Sequence, residues 1–162
     1  MLRAFVRILA VQPETHLLIV GDGTERTSLQ ALAHEFGIEH SVTFTGRVSD
    51  EDLVLLHRVG TVFAMPSPAE LQSIATLEAM ASGQPVVAVD AGALKELCQH
   101  GRNGYLCIQD DDEMIAEGLL AILQDPKLRD EMSAESLAIA KTHDLQTTLA
   151  QFERIYTDLI NA

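Results

Sequence analysis

Residues 61–89 read TVFAMPSPAELQSIATLEAMASGQPVVAV and contain a complete strand–helix–strand unit. The apolar runs Thr61–Met65 and Pro85–Val89 are short and bounded by turn residues, so both are predicted to be buried strands. Between them, the sequence predicts a helix from about Ser73 to Ser82 that ends at Gly83. A helix that joins two such strands places them parallel in one sheet.

The same alternation of strand and helix continues in both directions along the chain. Thr24 is a candidate N-cap for the helix after the first strand, and Asp144 is one for the last helix. Alternating helices and near-continuous apolar strands are typical of a parallel sheet. We therefore predict one α/β domain with a Rossmann-like, three-layer parallel sheet and helices on both faces. Its other strands are predicted at residues 16–20, 42–45 and 105–108, and its other helices at residues 1–10, 24–36, 49–57, 93–100 and from 110 onward.

The composition limits the classes of function. A net charge of −13 gives a surface that repels nucleic acid and anionic membranes. The two cysteines lack CxxC spacing and are typical of free thiols in a reducing cytoplasm. The apolar spacing of residues 1–10 favours a core-facing amphipathic helix over a signal peptide. We predict a cytoplasmic protein that binds no nucleic acid.

Chemistry is expected at the turns that follow the strands, because ligands of parallel sheets bind beyond the carboxyl ends of the strands. Glu70 and Glu78 flank the predicted start of the 73–82 helix. The first N–H groups of that helix, near residues 72–75, have no intrahelical partner and form an anion site for a phosphate. The carboxylates are good acceptors for sugar hydroxyls on either side. Spacing alone leaves open that both are ordinary solvated residues.

The segment from Glu70 to Ala88 resembles the E-x7-E signature of retaining glycosyltransferases of family 4. In this chain the signature continues as EAMASGQPVVA, residues 78–88. Three further matches lie in the same order on both sides, with consistent spacing, so that the resemblance covers about residues 1–160. They are LLIVGDG at residues 17–23, VTFTGRV at residues 42–48 and GRNGYL at residues 101–106.

The resemblance implies the C-terminal, donor-binding half of a GT-B enzyme, in which two Rossmann-like domains face each other. It places Glu70, as the catalytic residue, on the hydroxyls of the transferred sugar and Glu78 on the ribose. Backbone N–H groups near Gln72 would contact the diphosphate, and Val48 would lie against the base. The remaining donor-binding positions that it implies are Ser73, Ile74 and Ala75 at the diphosphate, and Gly21 and Gly23, which leave room for the ligand.

The chain departs from the family pattern at three places. Gln72-Ser73 replaces a common Phe-Gly pair, in a manner that resembles a subgroup acting on lipids, and Lys95 stands where a proline is usual. The chain also begins with a helix that the family places after a first strand and a basic, glycine-rich turn. We therefore expect residues 1–162 to be a donor-binding domain without its first strand and without the acceptor domain. Such a chain is expected to bind donor weakly, to transfer nothing and to associate through open sheet edges.

The predicted reaction is transfer of a hexose from a UDP- or GDP-sugar to a glycan or lipid acceptor, with retention of configuration. The alternatives are a non-catalytic nucleotide-binding module and a nucleotide-sugar epimerase of the same architecture. The acidic stretch at residues 110–113 is interpreted as helix capping. The resemblance to the GT-B class implies that no metal or other cofactor is required. The stretch at residues 21–26, G-x-G-x-x-R, lacks the third glycine of a dinucleotide fingerprint. Any peripheral membrane association, at the cytoplasmic face, is assigned to the acceptor domain.

Overall fold

The computed structural model describes residues 1–161, in which five strands alternate with eight α-helices. The predicted alternation is therefore confirmed. The strands are β1 (Leu17–Val20), β2 (Val42–Gly46), β3 (Phe63–Met65), β4 (Val86–Val89) and β5 (Gly104–Cys107). The helices are α1 (Leu2–Val11), α2 (Arg26–Glu35), α3 (Asp50–Val59), α4 (Ile74–Ala81), α5 (Leu94–Leu97), α6 (Asp112–Gln124), α7 (Pro126–Lys141) and α8 (Leu145–Ile160), with a 3-10 turn at Glu39–Ser41.

All strand pairs are parallel, and the strands form two separate sheets. β1 pairs with β2, and β3, β4 and β5 pair in that order. Within residues 1–161, no ladder joins β1 to β3. Each of these two strands therefore presents an unpaired row of backbone N–H and C=O groups.

Apolar side chains alternate between two cores, one on each face of the sheet layer. Phe5 and Ile8 of α1 pack in one core with Val87 of β4 and with residues of α6. Val86 of β4 points to the opposite core, which α4, α5 and α7 complete. Because β4 is central in its sheet, all four of its residues are buried. The three-layer arrangement is confirmed for β3–β5, whereas Leu18 and Val20 on β1 remain 37% and 40% exposed.

The helix ends follow local capping chemistry. The side chains of Ser49, Asp111, Asp125 and Asp144 each accept a backbone N–H in the first turn of α3, α6, α7 and α8. The prediction for Asp144 is thus confirmed. The prediction for Thr24 is wrong, because α2 begins at Arg26 and Glu25 occupies the N-cap position without a capping bond. The helix predicted at 93–100 shortens to Leu94–Leu97.

The last helix, α8, leaves its apolar face uncovered. Its large apolar residues are 47% to 84% exposed, and none of the α8 residues is buried. Across residues 1–161, no helix combines the length and the apolar character required to cross a bilayer. The uncovered residues are Leu145, Leu149, Phe152, Ile155, Tyr156, Leu159 and Ile160.

We expect the chain to self-associate through the unpaired edges of β1 and β3. Light scattering at increasing concentration should show species larger than a monomer. A lysine on an edge strand opposes strand pairing between molecules, so Leu18→Lys should lower the association. The matched control is Val59→Lys on α3, which places the same charge at a residue that is 70% exposed. A chain that stays monomeric, or equal effects of both variants, would contradict an edge-mediated contact.

Candidate functional site

The start of α4 leaves backbone N–H groups free. Ser73, the N-cap residue, is buried and left-handed, with φ 35° and ψ 65°. Its hydroxyl bonds to the Thr76 hydroxyl at 2.7 Å and so does not cap the helix. In the described structure, the N–H groups of Ser73, Ile74 and Ala75 have no acceptor. Three free donors at the positive end of a helix form a site for an anion.

Glu70 and Glu78 lie on the two sides of these N–H groups along the chain. Glu70 is half-buried in the segment between β3 and α4, and Glu78 is exposed on α4. Within residues 1–161, neither carboxylate has a hydrogen bond or an ion pair. Both can therefore accept hydroxyl groups of a ligand that spans the helix start. Gln72, between them, is also exposed.

The backbone of Glu70 rests on the turn that follows β4. Its carbonyl oxygen accepts the Ala93 N–H at 3.3 Å, and Gly92 lies directly against it. Lys95, a local cation near this turn, forms an ion pair with Asp90 at 3.1 Å. Its charge is thus already paired with a carboxylate, although both side chains are more than half exposed.

The other predicted positions follow the β1–β2 sheet. Gly21 has φ 114°, which favours glycine, and its N–H donates to the Gly46 carbonyl at 3.0 Å. A side chain at Gly21 or Gly23 would meet open space. Val48 is half-buried after β2. The predicted residues therefore form two groups, one at the carboxyl end of each sheet. Gly21, Gly23 and Val48 lie at the end of the β1–β2 sheet, and residues 70–78 follow β3 of the other sheet.

Arg26 makes contacts beside the predicted donor-binding glycines that the sequence did not indicate. Its guanidinium donates to the Phe44 carbonyl at 3.1 Å and lies 3.8 Å from Asp22. A Cβ on Gly46 would approach Arg26 Nη1 to 2.6 Å and would push the guanidinium aside, and the φ of 70° at Gly46 favours glycine. Arg26 thereby ties together the turns after β1 and β2. The only available signal was its place in the G-x-G-x-x-R stretch.

Among residues 1–161, neither the two cysteines nor the acidic stretch forms a second site. Burial raises the pKa of the Cys98 thiol to about 12 and that of Cys107 to about 11, so both are neutral thiols near pH 7. Asp111, within the acidic stretch, caps α6 by accepting the Met114 N–H. Two surface depressions are not lined by the predicted donor-binding residues. One, of about 470 Å³, is lined by Arg7 and residues 108–113. The other, of about 410 Å³, is lined by Gln30, Ala33, Glu39 and residues 42–44.

Comparison with known proteins identifies the family. The model of the family described as Glycosyl transferases group 1 matches residues 1–137, which is most of the chain. The chain belongs to the group 1 glycosyltransferases. The resemblance found in the sequence is confirmed at the level of this family and of the GT-B fold, whose C-terminal domain the structure matches.

Two relatives and one solved structure show how similar this glycosyltransferase chain is to known proteins. It is 31% identical over 144 residues to an uncharacterized glycosyltransferase of Haemophilus influenzae, covering 88% of the chain and 40% of that protein. It is 35% identical over 116 residues to a GDP-mannose-dependent phosphatidylinositol monomannoside mannosyltransferase of Mycobacterium tuberculosis. That match covers 67% of this chain and 30% of the mannosyltransferase. The structure of Anabaena HepE in complex with UDP aligns with a TM-score of 0.85 and 27% identity over 96% of this chain and 44% of that one. The chain thus spans less than half the length of these proteins.

Proposed function

We propose that this glycosyltransferase chain binds the nucleotide-sugar donor of a hexosyl transfer. The observation that carries the proposal is the uncapped start of α4, with free N–H groups between two unpaired glutamates. A nucleoside diphosphate sugar carries two phosphates with hydroxyl groups on both sides. Glu70 precedes α4 and Glu78 lies in its second turn, so the two carboxylates flank the free N–H groups and can address both ends of such a ligand. The UDP complex of HepE, a structural neighbour, supports this ligand class.

In the proposed complex, each group has one task. The N–H groups of Ser73, Ile74 and Ala75 hold the diphosphate, with Gln72 beside them, and no metal ion is needed. Glu78 accepts the ribose hydroxyls, and Glu70 accepts hydroxyls of the transferred sugar. Gly21 and Gly23 leave open space for the ligand, and Val48 lies against the base. The residues thus position the donor and stabilise the leaving diphosphate, and none acts as a nucleophile.

The complete reaction is transfer to a glycan or lipid acceptor with retention of configuration, and it requires a second, acceptor-binding domain. The mannosyltransferase relative, which acts on a phosphatidylinositol monomannoside, supports a lipid acceptor, as does the Gln72-Ser73 pair. Any membrane contact is assigned to that second domain. A cytoplasmic location is supported by the two free, buried cysteines. Because the protein carries a charge of −13, we expect this chain alone to bind the anionic donor weakly.

Amide NMR shifts test the ligand class even when binding is weak. UDP or GDP should shift the amide signals of Ile74 and Ala75, whereas uridine or guanosine, without phosphates, should leave them unchanged. The internal control is the start of α8, where the Asp144 side chain already accepts the Thr147 N–H. Equal shifts at both helix starts, or none with any nucleoside diphosphate, would overturn the proposal.

We expect Glu70→Ala to affect the sugar and to spare the nucleotide. The affinity for nucleoside diphosphate should stay nearly constant, because the phosphate N–H groups begin three residues later. In the enzyme with its acceptor domain, kcat/KM for transfer should fall at least about tenfold, or ~1.4 kcal/mol. Glu96→Ala, at an exposed glutamate on α5, is the matched control. If Glu70→Ala lowered the affinity for nucleoside diphosphate as much as it lowers kcat/KM for transfer, the separate roles of the two glutamates would be contradicted.

A further inference from the structure

The turn after β4 approaches the backbone of Glu70 so closely that only glycine fits. Gly92 has φ 50°, and a Cβ built on it would lie 2.5 Å from the Glu70 carbonyl oxygen and 3.6 Å from the Glu70 carbonyl carbon. The Pro68 carbonyl oxygen would be 4.0 Å away. These are backbone atoms, which cannot turn aside as a flexible side chain does. Any side chain at Gly92 must therefore displace the segment that carries Glu70.

The same carbonyl is held from the neighbouring residue. The Ala93 N–H donates to the Glu70 oxygen at 3.3 Å. This bond can form only while Gly92 lets the two backbones meet. The turn itself is closed by the bond from the Leu94 N–H to the Ala91 carbonyl at 3.1 Å. The backbone of Glu70 therefore packs against a turn of defined shape, although Glu70 itself lies in a segment without regular structure.

The phosphate side of the site is held independently of this contact. The Ser73 carbonyl accepts the Thr76 and Leu77 N–H groups at 3.1 and 3.2 Å, and the Ser73 hydroxyl bonds to Thr76. None of these bonds involves the turn after β4. Displacing Glu70 from Gly92 should consequently leave the start of α4 in place.

Within the proposed function, we infer that Gly92 is a positioning residue for the sugar half of the donor. By lacking a side chain, it seats the Glu70 backbone and thereby sets the position of the Glu70 carboxylate. In this role Gly92 acts through Glu70. A side chain at this position should remove recognition of the transferred sugar and preserve binding of the nucleoside diphosphate.

Two substitutions and one control separate this contact from backbone strain. Gly92→Ala introduces both a Cβ and an unfavourable left-handed alanine. Gly92→Asn keeps the Cβ but tolerates left-handed backbone better, so it serves if the alanine variant folds poorly. Gly37→Ala is the control, because Gly37 has φ 68° and nothing lies within 4 Å of its Cβ position. It carries the strain without the contact.

The experiment compares the dissociation constants of UDP with UDP-glucose, and of GDP with GDP-mannose, by titration. The gain in affinity that the hexose adds should fall about tenfold in both Gly92 variants, as expected when one charge-assisted hydrogen bond is lost. It should be unchanged in Gly37→Ala. In a Glu70→Ala background, Gly92→Ala should cause no further loss, because the two changes remove one interaction. Amide exchange of Ala93 should accelerate in the Gly92 variants without any ligand.

The outcomes distinguish this inference from the proposed function. If the unsubstituted chain binds no nucleotide, the proposed function is overturned and this role falls with it. If nucleotides bind and the hexose gain is equal in the unsubstituted chain and in Gly92→Ala, only the role of Gly92 is overturned. Additive losses in the Glu70→Ala background would also overturn it, because Gly92 would then act through another group.

Discussion

Gly104→Ala is expected to lower the free energy of unfolding by more than about 4 kcal/mol, the range of severe single substitutions. Gly104 of β5 pairs with Val86 of β4, and a Cβ at this position would overlap the carbonyl group and the nitrogen of Val86. The Val86 carbonyl group and nitrogen belong to the backbone of a strand that is buried on both faces. The strands must separate to relieve the overlap, and the ladder between them is lost. Urea denaturation followed by circular dichroism measures the effect.

Gly23→Ala is the matched control for this substitution. A Cβ at Gly23 meets nothing within 4 Å, and Gly23 does not have a positive φ. Its free energy of unfolding should change by no more than about 0.5 kcal/mol. Similar unfolding curves for the two variants would show that the Gly104–Val86 register is wrong.

Glu78→Gln should weaken donor binding by about 1–3 kcal/mol, the range for a hydrogen bond to a charged group. Glu78 is exposed, and its carboxylate has no hydrogen bond or ion pair in the described structure. The free energy of unfolding should therefore barely change. The loss should be equal for a nucleoside diphosphate and its sugar, because the ribose is common to both. Calorimetric titration with UDP, GDP and ADP measures it, in the enzyme that includes the acceptor domain.

Glu117→Gln provides the control for charge. Glu117 is exposed on α6, so this substitution removes one negative charge from the same protein without touching the proposed site. Its effect on donor affinity should be small and should favour binding of the anionic ligand. Unchanged affinity in Glu78→Gln for every nucleotide that binds would refute the ribose contact.

Local patterns predicted most of the fold, because each strand is an apolar run and several helices start at a side chain that accepts the free N–H groups. Asp144 illustrates this, since its carboxylate satisfies the Thr147 N–H within its own segment. The division of the sheet is different. It depends on whether β1 and β3 pair, for which strands with 42 residues between them carry no local signal. Only the family resemblance leads to the expectation of open sheet edges. Thr24 is not the cap because α2 begins at Arg26, which makes Glu25 the N-cap residue.

At the candidate site, the motif located the start of the helix but not the contacts that hold Ser73 and Glu70 in position. The resemblance placed Ser73 where relatives often have glycine, and the structure shows φ 35° at that residue. A serine holds this left-handed conformation with its hydroxyl bonded to Thr76. The seat of Glu70 on Gly92 joins positions 22 residues apart, and no spacing rule indicates it. Such contacts depend on how separate segments meet, which the sequence alone does not contain.

The divided sheet also has a thermodynamic consequence. With no ladder between β1 and β3 in residues 1–161, the β1–β2 unit and the β3–β5 unit are joined by side-chain packing in a shared apolar core, which contains Val42 of β2 and Val87 of β4. The proposed donor residues are shared between them, with Gly21, Gly23 and Val48 on one and Glu70 to Glu78 on the other. A ligand that contacts both units binds only when both are folded. Part of its binding free energy therefore appears as coupling between the two units, in addition to affinity.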